Sequence, residues 1–211
     1  MKFSPSKESI LKKIRKALSH STPLPFPLSE NNQPVFPPLS EELEVVFAEQ
    51  FNSLGGRFIF CVNRQELAFQ FNSLIQKSDW QKVYCNENKI RELVGTSLEE
   101  RFTDKDLAGC DVSVTSCECL VARTGSLVMS TAQSSGRTAS VYAPIHICIA
   151  FSNQLVYDIR DALTLVKDKY KDHLPSLITF ATGPSRTADI EKTLVVGVHG
   201  PKEVYCFLVD A

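Results

Sequence analysis

Six of the chain's eleven prolines, Pro23, Pro25, Pro27, Pro34, Pro37 and Pro38, fall between Thr22 and Pro38. Each fixes φ and removes a backbone donor, so neither a helix nor a sheet ladder can run through the stretch, which is expected to be an extended tether. The chain is thereby divided into an N-terminal arm, residues 1–38, and a body, residues 39–211, where a core has to be built. Phe26 and Phe36 give the tether apolar anchors to a surface. Ahead of it, Ser6 to Ser19 set Ile10, Leu11, Ile14 and Leu18 on one helical face, with Lys12, Lys13, Arg15 and Lys16 around the other sides. A helix this short is marginal alone in water, so its apolar stripe needs a surface. Docking on protein, either the same chain or a twin copy, is favoured over a bilayer, because one short helix gives only modest membrane affinity.

The chain has 211 residues, 43% of them hydrophobic, enough for one full core. Its 23 basic and 24 acidic side chains leave a net charge of −1, without the field that would gather nucleic acid or an anionic membrane. No apolar run approaches the ~20 residues needed to span a bilayer, and the first twenty lack a secretory apolar core, so a cytoplasmic protein is expected.

From Ser40 the rhythm is helix, strand, helix, strand. Ser40 caps an amphipathic helix through Leu43, Val46, Phe47 and Phe51 that ends at Gly55-Gly56, and Arg57 to Val62 is a strand. Asn63 caps a helix through Leu67, Phe71, Leu74 and Ile75, followed by a short strand Lys82 to Cys85 and a short helix Glu87 to Val94. This alternation indicates an α/β protein with helices on both faces of a largely parallel sheet. Asp111 to Thr115, Ser126 to Ser130, Thr138 to Tyr142 and His146 to Phe151 read as strands of a sheet edge folding over the body. Gln154 to Tyr170 has helical spacing, and Leu177 to Ala181 reads as a buried strand delivering Gly183.

The special chemistry is densest near the C-terminus, in Gly183-Pro184-Ser185-Arg186-Thr187-Ala188-Asp189-Ile190-Glu191 and Val195-Val196-Gly197-Val198-His199-Gly200-Pro201. Gly183 supplies a left-handed joint, Pro184 can open a helix, and Ser185 or Thr187 can cap its first turn. A helix start with Arg186 beside it would hold a carboxylate or phosphate, although a capped helix with a solvated arginine explains the same residues. Beyond the carboxyl end of a strand, such a motif would lie where α/β sheets collect ligands. Thr124-Gly125-Ser126 and the loop bearing Arg137 offer further small-residue turns that could clamp the same anion, or serve as ordinary turns. Asp189 and His199 are the best acid/base pair, a carboxylate orienting an imidazole. His146, entering an apolar strand, reads as structural.

The seven cysteines mostly sit in apolar, strand-like contexts, as small hydrophobes rather than a disulfide framework. Cys110, Cys117 and Cys119 lie close in sequence but lack the paired spacing of zinc or iron–sulfur ligands, so no metal site and no cofactor are assigned to this chain.

The two C-terminal strings at their fixed separation resemble the closing signature of the lactate utilization (LUD) domain family, in the branch of lactate utilization protein C. Ile10 to Leu18 is similar to that branch's opening helix, Thr124-Gly125-Ser126-Leu127 to its central segment, and Pro144-x-His146-Ile147 to its strand entry. Where relatives often carry an acidic residue before the Thr-Gly pair, this chain has Arg123. The resemblance implies the three-layer fold of ribose isomerases and CoA transferases. It also implies a subunit or accessory role in oxidising L-lactate to pyruvate, with iron–sulfur clusters in partner proteins and a small anionic metabolite as ligand. A stand-alone enzyme on a phosphorylated or CoA-linked metabolite, or a ligand-sensing or assembly module without turnover, are the competing readings.

Overall fold

The structure is a computed structural model that describes residues 5–19, 36, 41–95, 99–190 and 193–210, with the side chains of 5, 6, 188–190, 193 and 194 left aside. The chain divides into two units, Met1–Pro38 and Leu39–Ala211. In the first, α1 (Pro5–Leu18) is a helix with Glu8 in its first turn and Arg15 and Lys16 in its last, charges that complement the helix dipole.

The second unit opens with α2 (Leu43–Ser53), β1 (Arg57–Cys61), α3 (Arg64–Lys77), β2 (Val83–Tyr84), α4 (Asn88–Val94), β3 (Phe102–Thr103) and β4 (Val112–Thr115). There follow β5 (Cys119–Val121), β6 (Ser126–Ser130), α5 (Ala139–Tyr142), β7 (Ile145–Phe151), β8 (Leu155–Val156) and α6 (Ile159–Tyr170). The chain then runs through β9 (Ile178–Ala181), β10 (Arg186–Ile190), β11 (Thr193–Val196) and β12 (Glu203–Val209). Asn63 caps α3 as its sequence predicts, its side chain accepting from the Glu66 N–H at 2.9 Å. Ser40 lies outside the described residues, and the cap position of α2 is Glu42.

β1-β12-β7-β4-β2-β3 form a six-stranded sheet in which every neighbouring pair is parallel. β7 and β12 lie in its interior and are almost wholly buried, as the apolar runs Ile147–Phe151 and Val204–Val209 require. Their residues alternate by size, with Leu208 on the second face as the exception. Ile147, Ile149, Tyr205 and Phe207 face the core under α3 and α4, with Leu67, Phe71, Ile75, Ile90 and Val94. Cys148, Ala150, Val204 and Cys206 point the other way, towards Phe47 and Phe51 of α2 and Leu120, Leu127 and Met129. Those last residues belong to a second, four-stranded sheet of order β8-β5-β6-β9. Its outer side, Cys119, Val121 and Val128, is covered by Ala162 and Ile159 of α6.

The expected α/β architecture with a mostly parallel sheet and helices against both faces is therefore present, and a second sheet shares one of those faces with α2. Several local expectations differ. Asp111 to Thr115 and His146 to Phe151 are interior strands rather than a folded-over edge, because both of their faces are covered. Thr138 to Tyr142 is mostly the short helix α5, closed by Val141 and Tyr142 N–H bonds to the Thr138 carbonyl. The helix of Gln154 to Tyr170 starts only at Ile159. Asp158 caps it, and Leu155 and Val156 pair with Leu120 and Val121 instead. Leu177 to Ala181 yields β9, a half-buried edge strand of the smaller sheet.

α2 is locked in place by a turn. Gly125 is left-handed at φ 57°, and a Cβ there would lie 2.6 Å from the Phe51 backbone nitrogen. Gly136 is also left-handed, at φ 64°, but faces open space. Gly136→Ala is thus expected to lose about 1 kcal/mol, the left-handed penalty alone. Gly125→Ala meets backbone as well and should lose clearly more, ~3 kcal/mol. Urea unfolding of the two variants checks this, and equal losses would deny α2 its contact with the turn.

Candidate functional site

The GPSRTADIE segment is not a helix start. Arg186 to Ile190 form β10, paired antiparallel with β11. Thr187, Ile190, Thr193, Val195 and Val196 are β-branched and suit a hairpin, whereas left-handed Gly183 (φ 82°) and Gly197 (φ 79°) turn the chain at its base. The base is knitted together by Ser185 N–H to Pro201 carbonyl and Gly197 N–H to Ser185 carbonyl, both 2.9 Å. Arg186 Nη2 donates to the Leu54 carbonyl just past the end of α2, so its cation sits at the negative pole of that helix.

This motif therefore lies at the amino end of the parallel sheet, because Gly55-Gly56 lead into β1 and Gly200-Pro201 lead into β12. The expectation that it stands beyond the carboxyl end of a sheet strand fails: β9, which delivers it, belongs to the smaller sheet and runs antiparallel to β6. Thr124 and Ser126 meet at 2.8 Å between hydroxyls, and Ser126 meets Thr182 at 2.8 Å, so these oxygens already partner one another beside α2. Arg123 forms a two-point ion pair with Asp158, 2.9 and 3.3 Å, which holds the Asp158 carboxyl below the usual range. Arg137 reaches Ser176 at 3.1 Å, at the opposite end of the β6–β9 pair from Thr182, so Arg137 and Arg186 do not close on one anion. His199 is exposed on the turn after β11, in a hollow lined by Tyr142, Pro144 and Lys202. The side chain of Asp189 lies outside the described residues, and with it the Asp189–His199 pair.

A different cleft opens at the carboxyl ends of the strands. It has a volume of about 630 Å³ and is lined by Arg64, Glu87, Lys89, Ser116, Cys117 and Gln154, with Ile149 and Phe151 as its floor. The position follows from topology. From β2 the chain moves outward to β3 in one direction, whereas from β4 it moves through β7 to β12 in the other. The crevice at such a reversal is where open α/β sheets bind ligands. Glu87, just after β2, and Ser116, just after β4, meet across it: Ser116 N–H donates to Oε1 at 3.0 Å and Ser116 Oγ to Oε2 at 2.5 Å. Gln133 Nε2 donates to Ser116 Oγ at 2.9 Å. Arg64 places its guanidinium 5.8 Å from the Phe151 ring centre, and Gln154 braces the wall by donating to the Cys117 carbonyl at 2.9 Å.

Behind this wall Glu118 has a fully buried side chain. Oε1 accepts from Ser130 Oγ at 2.5 Å and Tyr170 OH at 2.8 Å, and Oε2 from Lys169 Nζ at 2.7 Å. Burial pushes its pKa up, but hydrogen bonds from Lys169, Ser130 and Tyr170 outweigh it and hold the carboxyl below its ordinary value. The carboxylate ties the second sheet to α6. Neither Glu118 nor Glu87 stands out as chemistry in the sequence, although a lone glutamate inside the apolar run Cys117 to Val121 is the signal that marks a buried, paired charge.

All seven thiols are free and buried. Burial raises Cys61 and Cys85 to about 11 and Cys119 to about 12, so they are protonated packing groups. Cys110 donates to the Leu107 carbonyl, Cys117 packs in the core between the sheets, and Cys119 packs under α6. Among the described residues no three His, Cys, Asp or Glu side chains gather as a metal site, and no helix is long and apolar enough to cross a membrane.

A mostly parallel α/β sheet with a cleft at its strand reversal defines the class, and comparison with known proteins gives the family. The LUD domain matches residues 44–209. Lactate utilization protein C 1 of Bacillus mycoides is 33% identical over 190 residues, covering 82% of this chain and 77% of that protein. Lactate utilization protein C of Anoxybacillus flavithermus is 35% identical over 157 residues, 74% of this chain and 64% of that protein. With its Bacillus licheniformis namesake the match is 35% over 102 residues, 47% of this chain and 42% of that protein. In these last two the chain spans less than two thirds of the relative's own length. A DUF162 family protein from Deinococcus radiodurans has the same fold, with a TM-score of 0.61 over 80% of this chain and 96% of that one at 18% identity. The chain belongs to the LUD domain family.

His146 gives the site region a pH signature. It is fully buried on β7, bonded through Nε2 to Thr115 Oγ1 at 2.9 Å, and burial lowers its pKa to about 4 from 6.5. The unfolded chain takes up this proton near 6.5 and the folded one only near 4, so the contribution is complete above 6.5 and is lost as pH falls through that window. Between about pH 6.5 and about pH 5 the loss should be about 2 kcal/mol. Denaturant titrations across this range should show the slope in the native chain and a flat response in His146→Gln.

Proposed function

We propose that this chain serves lactate utilization, as a component that works with iron–sulfur partner proteins oxidising L-lactate to pyruvate, and that the cleft at the carboxyl ends of the strands receives the small anionic metabolite. The observation that carries the role is the similarity to lactate utilization protein C 1 over 82% of this chain. The cleft lining supports the ligand class. A hydroxy acid presents a carboxylate, which suits the Arg64 and Lys89 cations, and a hydroxyl donor, which suits a carboxylate such as Glu87. Glu87 is pre-positioned by Ser116 and costs little reorganisation when it accepts another hydrogen bond. The closing hairpin, spent on fastening α2, is the weaker candidate for the anion.

Electron transfer is assigned to the partners because Cys61, Cys85 and Cys119, raised by burial, are protonated packing groups, whereas cluster ligation takes thiolates. Two measurements test the reading. Titration calorimetry with L-lactate and pyruvate should detect binding that Arg64→Ala weakens by about ten- to a hundredfold, the worth of a charge-assisted pair. Arg64 is exposed, so its loss should leave thermal unfolding unchanged. Anaerobic capture of the tagged chain from its own cells should bring down iron-bearing proteins with lactate-oxidising activity. Absence of both binding and such partners would sink the proposal.

A further inference from the structure

The side of the body where α2 meets the edge strand β1 carries a second hollow, of about 760 Å³. Its floor is apolar: Val45, Ala48, Phe58 and Phe60. Val45 and Phe60 are each 43% exposed, well above what isolated core residues show. Its rim is acidic, with Glu42, Glu44 and Glu49 at and along α2 and Asp210 just past β12, and among the described residues no basic side chain lines it. An exposed apolar trough with a single-signed rim is a binding surface for an amphipathic segment of opposite charge.

This chain carries such a segment. On α1, Ile10, Leu11, Ile14 and Leu18 form an exposed apolar stripe, 37% to 79% accessible, on a helix bearing five basic side chains (Lys7, Lys12, Lys13, Arg15, Lys16) and one acidic (Glu8). Stripe and trough match in polarity, and the basic flanks match the acidic rim in charge. We infer that the trough between α2 and β1 of one copy receives α1 of a second copy, and that two copies exchange arms. Every copy presents both halves of the contact, so the exchange closes with two-fold symmetry and makes each contact twice. Nineteen residues, 20 to 38, follow α1 before the body, and at about 3 Å per residue that length sets an upper limit of ~60 Å on its reach, enough to cross to a neighbour.

Sedimentation velocity on the full chain over a range of concentrations tests this. A reversible dimer is expected. Ile14→Ser on the stripe should weaken it at least about tenfold, and so should Glu44→Lys with Glu49→Lys on the rim. Adding Lys12→Glu and Lys16→Glu to the rim variant should return the dimer to within about threefold of the native affinity. All these residues are on the surface, so far-ultraviolet circular dichroism should be unchanged throughout. A chain that stays monomeric up to about 100 μM overturns the inference, since the trough then takes another occupant. A dimer indifferent to the stripe and rim variants overturns it too, and so does a charge exchange that fails to restore association.

Discussion

The asymmetry of β7 and β12 is what the remainder of the body is built around. Two adjacent parallel strands, in register from Ile145 and Glu203 to Phe151 and Val209, must bury both faces, but the faces are not equivalent. One carries Ile147, Ile149, Tyr205 and Phe207, bulky enough to fill the space under two helices. The other carries Cys148, Ala150, Val204 and Cys206, with Leu208 as its one bulky side chain, and over most of its length is small enough for a helix with two stacked phenylalanines and a whole second sheet to approach. Thiols at these places are packing groups whose size sets the distance between layers. Enlarging one would force the sheets apart, because a close-packed interior has no slack to absorb an added methylene without strain.

Polar groups that enter the interior need internal partners, and this shapes the carboxyl end of the molecule. Glu118 enters the interior and is satisfied by three donors drawn from β6 and α6. Glu87 is satisfied by the chain turn that follows β4. A buried carboxylate with all its partners is costly to disturb, since removing one donor strands a charge in a low-dielectric setting. The wall of the cleft is consequently stiff where Ser116, Glu87 and Gln133 interlock, and open where Arg64 and Lys89 stand on α3 and α4 in solvent. A fixed acceptor opposite exposed cations is a workable arrangement for orienting a small ligand with both a carboxylate and a hydroxyl.

Much of this architecture could be read from residues because it rests on local rules. Asn63 before Arg64 to Lys77, Gly55-Gly56 after α2 and the apolar run that ends β7 each announce their element. Two kinds of information could not be read that way. Sheet membership is non-local: nothing in Cys119 to Val121 or Ser126 to Ser130 says that they leave the main sheet to form a second one. Chemistry-bearing residues are also ambiguous without their neighbours. Pro184, Ser185 and Arg186 have the composition of a helix start, yet the β-branched residues that follow find partners across a hairpin and override it. The arginine that looked free for an anion is committed to the Leu54 carbonyl. Glu87 and Glu118 are of this kind, because their importance lies in what folds against them.

The closing hairpin and the cleft stand at opposite ends of the parallel strands, and this separation divides their tasks. Gly183 cannot accept a side chain: a Cβ would lie 2.9 Å from the Leu54 carbonyl oxygen, at a backbone conformation that already disfavours one. Gly200 approaches the Ser185 side chain equally closely, and Arg186 completes the contact by capping α2. These requirements are met by backbone fit and a single cation, without any ligand. The same α2 packs Phe47 and Phe51 against the small face of β7 and β12, so the hairpin fastens the layer arrangement from the amino end. Its unusual residues are explained by how closely three chain segments meet there, and the proposed ligand site lies at the carboxyl end, where acidic and basic side chains face an open volume.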